Sequence, residues 1–355
     1  MWARIPRDGT FYRGLGKLSV GYWGKPCECA CMHCKGRGGG GAGEKRPPDN
    51  PRKLVSYDDA VRVARRFDEW RRAKGYDMVM SFAGGDTPDY PGVFDEMRFA
   101  YQLYGLNGFA CNGMRMRTED ELDEFFREAK DAGTRIVFTT FYGTRAFHDE
   151  FARRRGDFDL MVNTAKAVAR HGMRNYHTTF LSKSTTPYLE ELIAFLEKLP
   201  GERRIECRPI LNKTEVLTDE CERYTRAEYE ALPEHLRKRN HYRMDTRAAW
   251  RDYVAAGRFE ENTFDFDHLD TMIDVGDMDL DEFYAHSVEE YLDGVIEAEV
   301  EKRRSTPSMV ALAEEYAAYR TDSELLFTLF DMQMEWKYLW RQTHPGIIPH
   351  YAMVN

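Results

Sequence analysis

The sequence predicts an α/β fold in which a parallel sheet is followed by a mostly helical region. Three observations support this prediction. Short apolar strand patterns alternate with helix patterns up to about residue 211, the alternation ends near Thr214, and the residues beyond it follow helical periodicity. Six such strand–helix units form either a doubly wound sheet or an open, partial barrel, and both architectures bind ligands at the carboxyl ends of the strands.

The predicted elements follow one another without an internal repeat. Strands are predicted over 18–23, 77–82, 108–111, 135–141, 175–181 and 204–211. The helices between them are predicted over 56–74, 93–104, 119–132, 157–171 and 188–199. Further helices are predicted over 226–239, 246–256, 280–304, 308–319 and 323–341.

These elements predict two parts of the chain. The first is a core over residues 1–215, which contains a flexible loop rich in Gly, Pro and charged residues over 35–53. The second is a helical C-terminal region over 216–355 that covers the core.

The composition narrows the classes of function. The 355 residues carry a formal net charge of −9, which argues against a general nucleic-acid binder because phosphate contacts require a basic face. No apolar run is long enough to span a membrane, and the N-terminal residues lack the apolar segment of a signal peptide. We therefore expect a cytoplasmic protein that binds neither nucleic acid nor a membrane.

The cysteines are clustered, and their spacing points to metal chemistry. Four of the seven lie at Cys27, Cys29, Cys31 and Cys34, whereas a secreted disulfide protein spreads its cysteines along a short chain. Thiolates are the ordinary ligands of iron–sulfur clusters. Three thiolates with the spacing of Cys27, Cys31 and Cys34 can hold three irons of a cubane and leave the fourth iron open to a small molecule. This spacing predicts these three as cluster ligands, with Cys29 as a bystander.

Zinc is the alternative that the same segment leaves open. The four cysteines, or three of them with His33, could supply the four ligands of a zinc ion. Structural zinc sites, however, usually use two separated pairs of ligands, and Cys207 and Cys221 are single. A thioredoxin-like motif would use only Cys31 and Cys34.

The cysteine spacing, together with a Gly-Gly-Asp sequence after the second strand, resembles the radical S-adenosylmethionine (SAM) superfamily. His33 occupies the position before the third cysteine, which is commonly aromatic in that superfamily. Gly84, Gly85 and Asp86 resemble its Gly-Gly-Glu motif, which holds the methionyl amino group of SAM, although Asp86 is shorter than the usual Glu. The resemblance implies a partial (β/α)6 TIM-like barrel. Thr139, Thr140 and Ser182 lie at predicted strand ends, where their side chains either contact SAM or cap the strands.

Within this superfamily, residues 140–172 resemble most closely the peptide-maturase (SPASM-type) branch. The matching residues are Thr140 and Tyr142, which replace a Ser and an Asp of the branch, the pair His148-Asp149, and the segment 155–158. That branch carries further cysteines in a C-terminal domain, and this chain has only Cys221 beyond Cys207, so an auxiliary cluster is not expected.

The resemblance implies an enzyme in which a [4Fe–4S] cluster cleaves SAM reductively to a 5′-deoxyadenosyl radical. That radical would abstract a hydrogen from a small-molecule substrate, in a natural-product pathway, and an external donor such as flavodoxin or ferredoxin would supply the electron. The alternative is the same chemistry on a peptide side chain, and a more remote one is a non-catalytic zinc or iron–sulfur protein. The sequence does not indicate the catalytic residues, the substrate or the bond that changes.

Overall fold

The computed structural model describes residues 5–7, 10–12, 15–22, 27–33, 55–76, 79–84, 87–105, 107–212, 220–257, 269–320 and 323–345. The predicted flexible loop over 35–53 lies outside the described residues. So do three of the predicted site residues, namely Cys34, Gly85 and Asp86.

Strands and helices alternate along the first part of the chain, as predicted. The strands are Ile5–Arg7 (β1), Thr10–Tyr12 (β2), Leu15–Tyr22 (β3), Val79–Gly84 (β4), Asn107–Ala110 (β5), Thr134–Phe141 (β6), Arg174–Leu181 (β7), Arg203–Pro209 (β8), Met244–Asp245 (β9), Leu269–Asp274 (β10) and Phe327–Thr328 (β11). The helices up to β8 are Tyr57–Lys74 (α1), Val93–Tyr104 (α2), Glu119–Asp131 (α3), Arg145–Ala152 (α4), Asp157–Arg170 (α5) and Thr186–Leu196 (α6).

The helices beyond β8 are Arg226–Glu230 (α7), Glu234–Arg237 (α8), Arg247–Ala255 (α9), Leu280–Ala285 (α10), Val288–Ser305 (α11), Met309–Glu315 (α12) and Leu329–Thr343 (α13). None of the helices in the described part of the chain is both long and apolar enough to cross a membrane.

The strands confirm the α/β class through two sheets that contain parallel pairs. In the first, β3 lies between β10 and β4 and is parallel to both. In the second, the order is β5-β6-β7-β8, and β6 is parallel to β5 and to β7. Because the described strands β4 and β5 belong to different sheets, the partial (β/α)6 barrel stays a prediction.

Strand β10 lies within the C-terminal region that the sequence predicts to be mostly helical. It pairs in parallel with β3, with Met272 opposite Ser19. The sequence of this strand, Leu-Asp-Thr-Met-Ile-Asp, has no clear alternation of apolar and polar residues, so its pattern does not predict a strand. The predicted helix over 226–239 is also divided, because Pro233 cannot continue a helix and instead precedes α8.

The chain contacts divide the protein into two compact units. The first comprises residues 1–179, 191–206 and 266–288, and the second comprises 180–190, 207–265 and 289–355. Both units take residues from either side of position 215, and the predicted division of the chain into 1–215 and 216–355 stays a prediction.

Each unit has a core of its own. In the first, β6 and β7 bury the side chains of one sheet face, with alternate residues fully or almost fully buried: Val137, Thr139, Phe141, Asn175, His177 and Thr179. In the second, α9, α12 and α13 pack around Trp250, Phe327 and Trp336, and the Trp250 indole donates to the Phe327 carbonyl at 2.7 Å.

Candidate metal centre

The cysteine segment, residues 27–33, is attached by its backbone to two other parts of the first unit. Three hydrogen bonds are donated by its amides: Glu28 N to Gly113 O at 2.8 Å, Ala30 N to Ala152 O at 3.1 Å, and Met32 N to Phe151 O at 2.9 Å. Two of the accepting carbonyls end α4, where helix carbonyls lack a partner within the helix. The segment is therefore held between the turn after β5 and the C-terminal end of α4.

Gly113 makes room for the Cys27 sulfur in that turn. Its φ of +81° is a left-handed conformation, and a Cβ built on it would lie 1.9 Å from Cys27 Sγ. Next to it, Asn112 holds the end of β6, because its side chain accepts from Thr140 N at 2.6 Å and donates to Thr140 O at 2.9 Å. The predicted SAM contact Thr140 is therefore tied to the turn that carries Cys27.

The three described thiols of the segment converge. The neighbouring Cys27 and Cys31, together with burial, raise the pKa of the Cys29 thiol far above its ordinary value. The interaction with Cys29 is also the main cause that lowers the pKa of Cys31, against the effect of burial. The arrangement favours a neutral Cys29 beside a Cys31 that ionises more readily.

The buried carboxylate of Asp157 contacts Cys29. The Cys29 thiol donates to Asp157 Oδ2 at 3.7 Å, and Asp157 is fully buried. His148 Nδ1 accepts from the Tyr142 amide at 3.2 Å, so the ring proton is on Nε2, which donates to Asp157 Oδ2 at 3.0 Å. Arg154 donates to the other oxygen of the carboxylate at 3.1 Å.

This network keeps Asp157 ionised. Burial opposes its ionisation, but the hydrogen bond from His148 and the charge of Arg154 lower the pKa of Asp157 below its ordinary value. The neighbouring Asp149 has a different role. It accepts from the amides of Gly156 and Phe158, at 2.6 and 2.9 Å, and so satisfies the N-terminus of α5. The His148-Asp149 pair thus supports the structure around the cysteine segment.

An aromatic cluster covers the other side of the cysteine segment. The Tyr142 ring stacks on Phe151 at 4.5 Å between centroids, and His33 stacks on Phe151 at 5.6 Å. The Tyr142 hydroxyl donates to Cys31 Sγ at 3.3 Å, and Tyr142 is only 3% exposed. Burial and the nearby charge of Cys31 raise the pKa of Tyr142 well above its ordinary value, so the phenol keeps its proton.

The structure brings together some of the predicted site residues. Cys27, Cys31 and His33 share one segment, and Thr140 is joined to it through Asn112 and Gly113. Gly84 is the last residue of β4, in the sheet that contains β3.

Ser182 belongs to the second unit. There its amide donates to Thr185 Oγ1 at 3.1 Å, and its hydroxyl lies 3.2 Å from Ser184 Oγ in the turn that begins α6. Sequence reasoning did not find the contacts of Gly113, Tyr142 and Asp157 with the cysteines. The available signals were weak: a glycine after a strand, and an Arg-Gly-Asp-Phe sequence before a helix.

The residues present fit part of an iron–sulfur site. Cys27 and Cys31 offer thiol sulfur, the ligand type of such clusters, from one short segment. Among the described residues, no group of three or more His, Cys, Asp or Glu side chains is arranged to hold a metal ion. The third predicted ligand, Cys34, lies outside those residues. The described part of the chain therefore contains two of the three predicted cluster ligands, and the neighbouring Cys29 thiol contacts Asp157.

Comparison with protein-family models and with curated proteins finds no match for this chain. Among solved structures, the chain is similar to the coproporphyrinogen III oxidase of Escherichia coli, which is described as a radical SAM enzyme, with a TM-score of 0.32 and 13% sequence identity. The similarity covers 54% of this chain and spans 44% of the length of the oxidase. A similarity at this TM-score supports no argument about fold or activity.

Proposed function

We propose that this chain is a radical SAM enzyme in which Cys27, Cys31 and Cys34 hold a [4Fe–4S] cluster. The observation that supports the proposal is the attachment of the cysteine segment. Backbone hydrogen bonds to Gly113 and to the end of α4 orient the segment. Asp157 accepts a hydrogen bond from the Cys29 thiol. These contacts distinguish Cys29 from the two predicted ligands beside it.

When bound, the reduced cluster would supply the electron that cleaves SAM to methionine and a 5′-deoxyadenosyl radical, which abstracts a hydrogen from the substrate. The protein residues position the ligands and exclude water. Tyr142, Phe151 and His33 form an apolar aromatic cover on one side of the segment. The proposed SAM contacts are Gly84, Gly85, Asp86, His33 and Thr140, and the contact expected for Ser182 stays a prediction.

The first candidate for the substrate is a small molecule. The resemblance of residues 140–172 to the peptide-maturase branch favours a second candidate, a peptide side chain. A gene for a short precursor peptide beside the gene for this chain would favour the second candidate. The proposed electron donor is a flavodoxin or a ferredoxin.

Anaerobic reconstitution with iron and sulfide tests the proposal. We expect the wild-type chain to gain the visible absorbance of a [4Fe–4S] cluster and, after reduction in the presence of SAM, to release 5′-deoxyadenosine. Replacement of Cys27, Cys31 or Cys34 by Ala should abolish both. The matched control is Cys29→Ala, which should keep both because the Cys29 thiol donates to Asp157.

The same measurements define the outcomes that contradict the proposal. A wild-type chain that binds zinc in preference to iron, or that releases no 5′-deoxyadenosine, would refute it. A Cys31→Ala variant with full SAM cleavage would refute the ligand assignment.

A further inference from the structure

The Tyr142 hydroxyl is a side-chain donor to a proposed cluster ligand. It lies 3.3 Å from Cys31 Sγ, which is within the range of hydrogen bonds to sulfur, and it comes from a strand end more than a hundred residues away along the chain. Both groups are buried, with Cys31 at 9% and Tyr142 at 3% exposure, so water does not compete for the sulfur on that side.

The packing around Tyr142 fixes the direction of this donor. Its ring stacks on Phe151 with an interplanar angle of 25°, and its backbone amide donates to His148 Nδ1 at 3.2 Å. The ring and the backbone of Tyr142 are therefore both held, and the hydroxyl has little freedom to leave the sulfur.

A hydrogen bond to a ligating sulfur draws electron density away from the cluster. The effect stabilises the reduced form, which carries one more negative charge, and so raises the reduction potential. The effect is stronger for buried groups, because the surroundings screen the interaction less than water does.

We propose that Tyr142 is a positioning residue for Cys31 that raises the reduction potential of the cluster through its O–H···S hydrogen bond. The inference rests on the proposed function. The redox step concerned is the one-electron reduction of the cluster by an external low-potential donor of the flavodoxin or ferredoxin class. The hydroxyl keeps its proton in that step.

The test compares the reconstituted full-length chain with Tyr142→Phe by potentiometric titration, in which electron paramagnetic resonance detects the reduced cluster. We expect the midpoint potential of Tyr142→Phe to be more negative than that of the wild type, at unchanged iron content. Incorporation of 3-fluorotyrosine at position 142 keeps the hydroxyl and makes it a stronger donor, so the midpoint should then become more positive. A merely structural role of the ring would not produce shifts of opposite sign.

Tyr176→Phe is the matched control. It removes a hydroxyl of the same unit that donates to Glu206 instead of a cysteine, and its midpoint potential should equal that of the wild type. If Tyr142→Phe assembles no cluster, the fluorotyrosine protein decides the question.

Equal midpoint potentials for the wild type and the Tyr142 proteins would overturn this inference and leave the proposed function intact. A wild-type chain that assembles no cluster would refute the proposed function, and the inference with it.

Discussion

A single added methyl group tests the position of the cysteine segment. Gly113→Ala places a Cβ 1.9 Å from Cys27 Sγ, whereas atoms in van der Waals contact lie about 3.5–4 Å apart. Cys27 must therefore move by about 2 Å. Binding groups have to be held within about 0.5 Å of their productive positions, so this displacement is large enough to prevent Cys27 from acting as the proposed cluster ligand.

Gly172→Ala is the matched control for the backbone conformation. Gly172 also has a left-handed φ, +64°, but a Cβ there meets nothing within 4 Å. The residue follows the C-terminal end of α5. Both substitutions should lower the free energy of unfolding by about 1–2 kcal/mol, because Ala is strained in that conformation. Gly113→Ala should cost about 1 kcal/mol more, because the hydrogen bond from the Glu28 amide is lost when the segment moves.

Urea unfolding of the apo-protein measures the stabilities, and iron and sulfide content after reconstitution measures the cluster. We expect Gly172→Ala to bind iron like the wild type and Gly113→Ala to bind little. A Gly113→Ala protein with wild-type iron content and the same stability as Gly172→Ala would show that Cys27 does not lie against this glycine, and would refute the reasoning.

Three further predictions concern stability, and urea unfolding measures each of them. Burial lowers the pKa of His177 to about 4, so between pH 6.5 and 4 the unfolded chain takes up a proton that the folded chain does not. Stability should fall over that window by up to about 3 kcal/mol, and His177→Gln should lack this part of the pH dependence. Arg247→Met leaves the buried Glu335 carboxylate without the two hydrogen bonds of 2.7 Å that it accepts, and should cost about 3–5 kcal/mol. Much of this loss should return in the double variant Arg247→Met/Glu335→Leu, and an equally unstable double variant would contradict the assignment. Asp149→Ala removes the cap of α5 and should cost about 1–2 kcal/mol; an unchanged stability would argue against that cap.

The sequence predicts the strands of the first part of the chain closely where apolar residues recur in short runs. The strand predicted over 135–141 is observed at Thr134–Phe141, and the one predicted over 175–181 at Arg174–Leu181. The prediction missed β10, because acidic residues interrupt the apolar pattern and the pairing with β3 involves residues about 250 positions away. Helix α4 was also missed, although its last carbonyls hold the cysteine segment.

For the candidate site, the sequence predicts that the cysteine segment is the metal-binding element. The structure shows that its thiols have different neighbours. The spacing of the four cysteines predicts which three suit a cubane, but local spacing does not show what each sulfur contacts. Those contacts come from residues far along the chain: Gly113 beside Cys27, Asp157 below Cys29 and Tyr142 beside Cys31.

The three contacts have different chemical consequences, and they suggest how a segment with an extra cysteine can keep a defined ligand set. Gly113 leaves space for the Cys27 sulfur, and its carbonyl accepts from the Glu28 amide. Asp157 accepts a hydrogen bond from Cys29 and therefore favours the thiol, which is a poor ligand. Tyr142 donates to Cys31 and therefore favours the thiolate, which is a good one. Which of the adjacent cysteines is the better ligand then depends on whether its distant partner accepts or donates a hydrogen bond. Exchanging the two partners should therefore change which cysteine ligates.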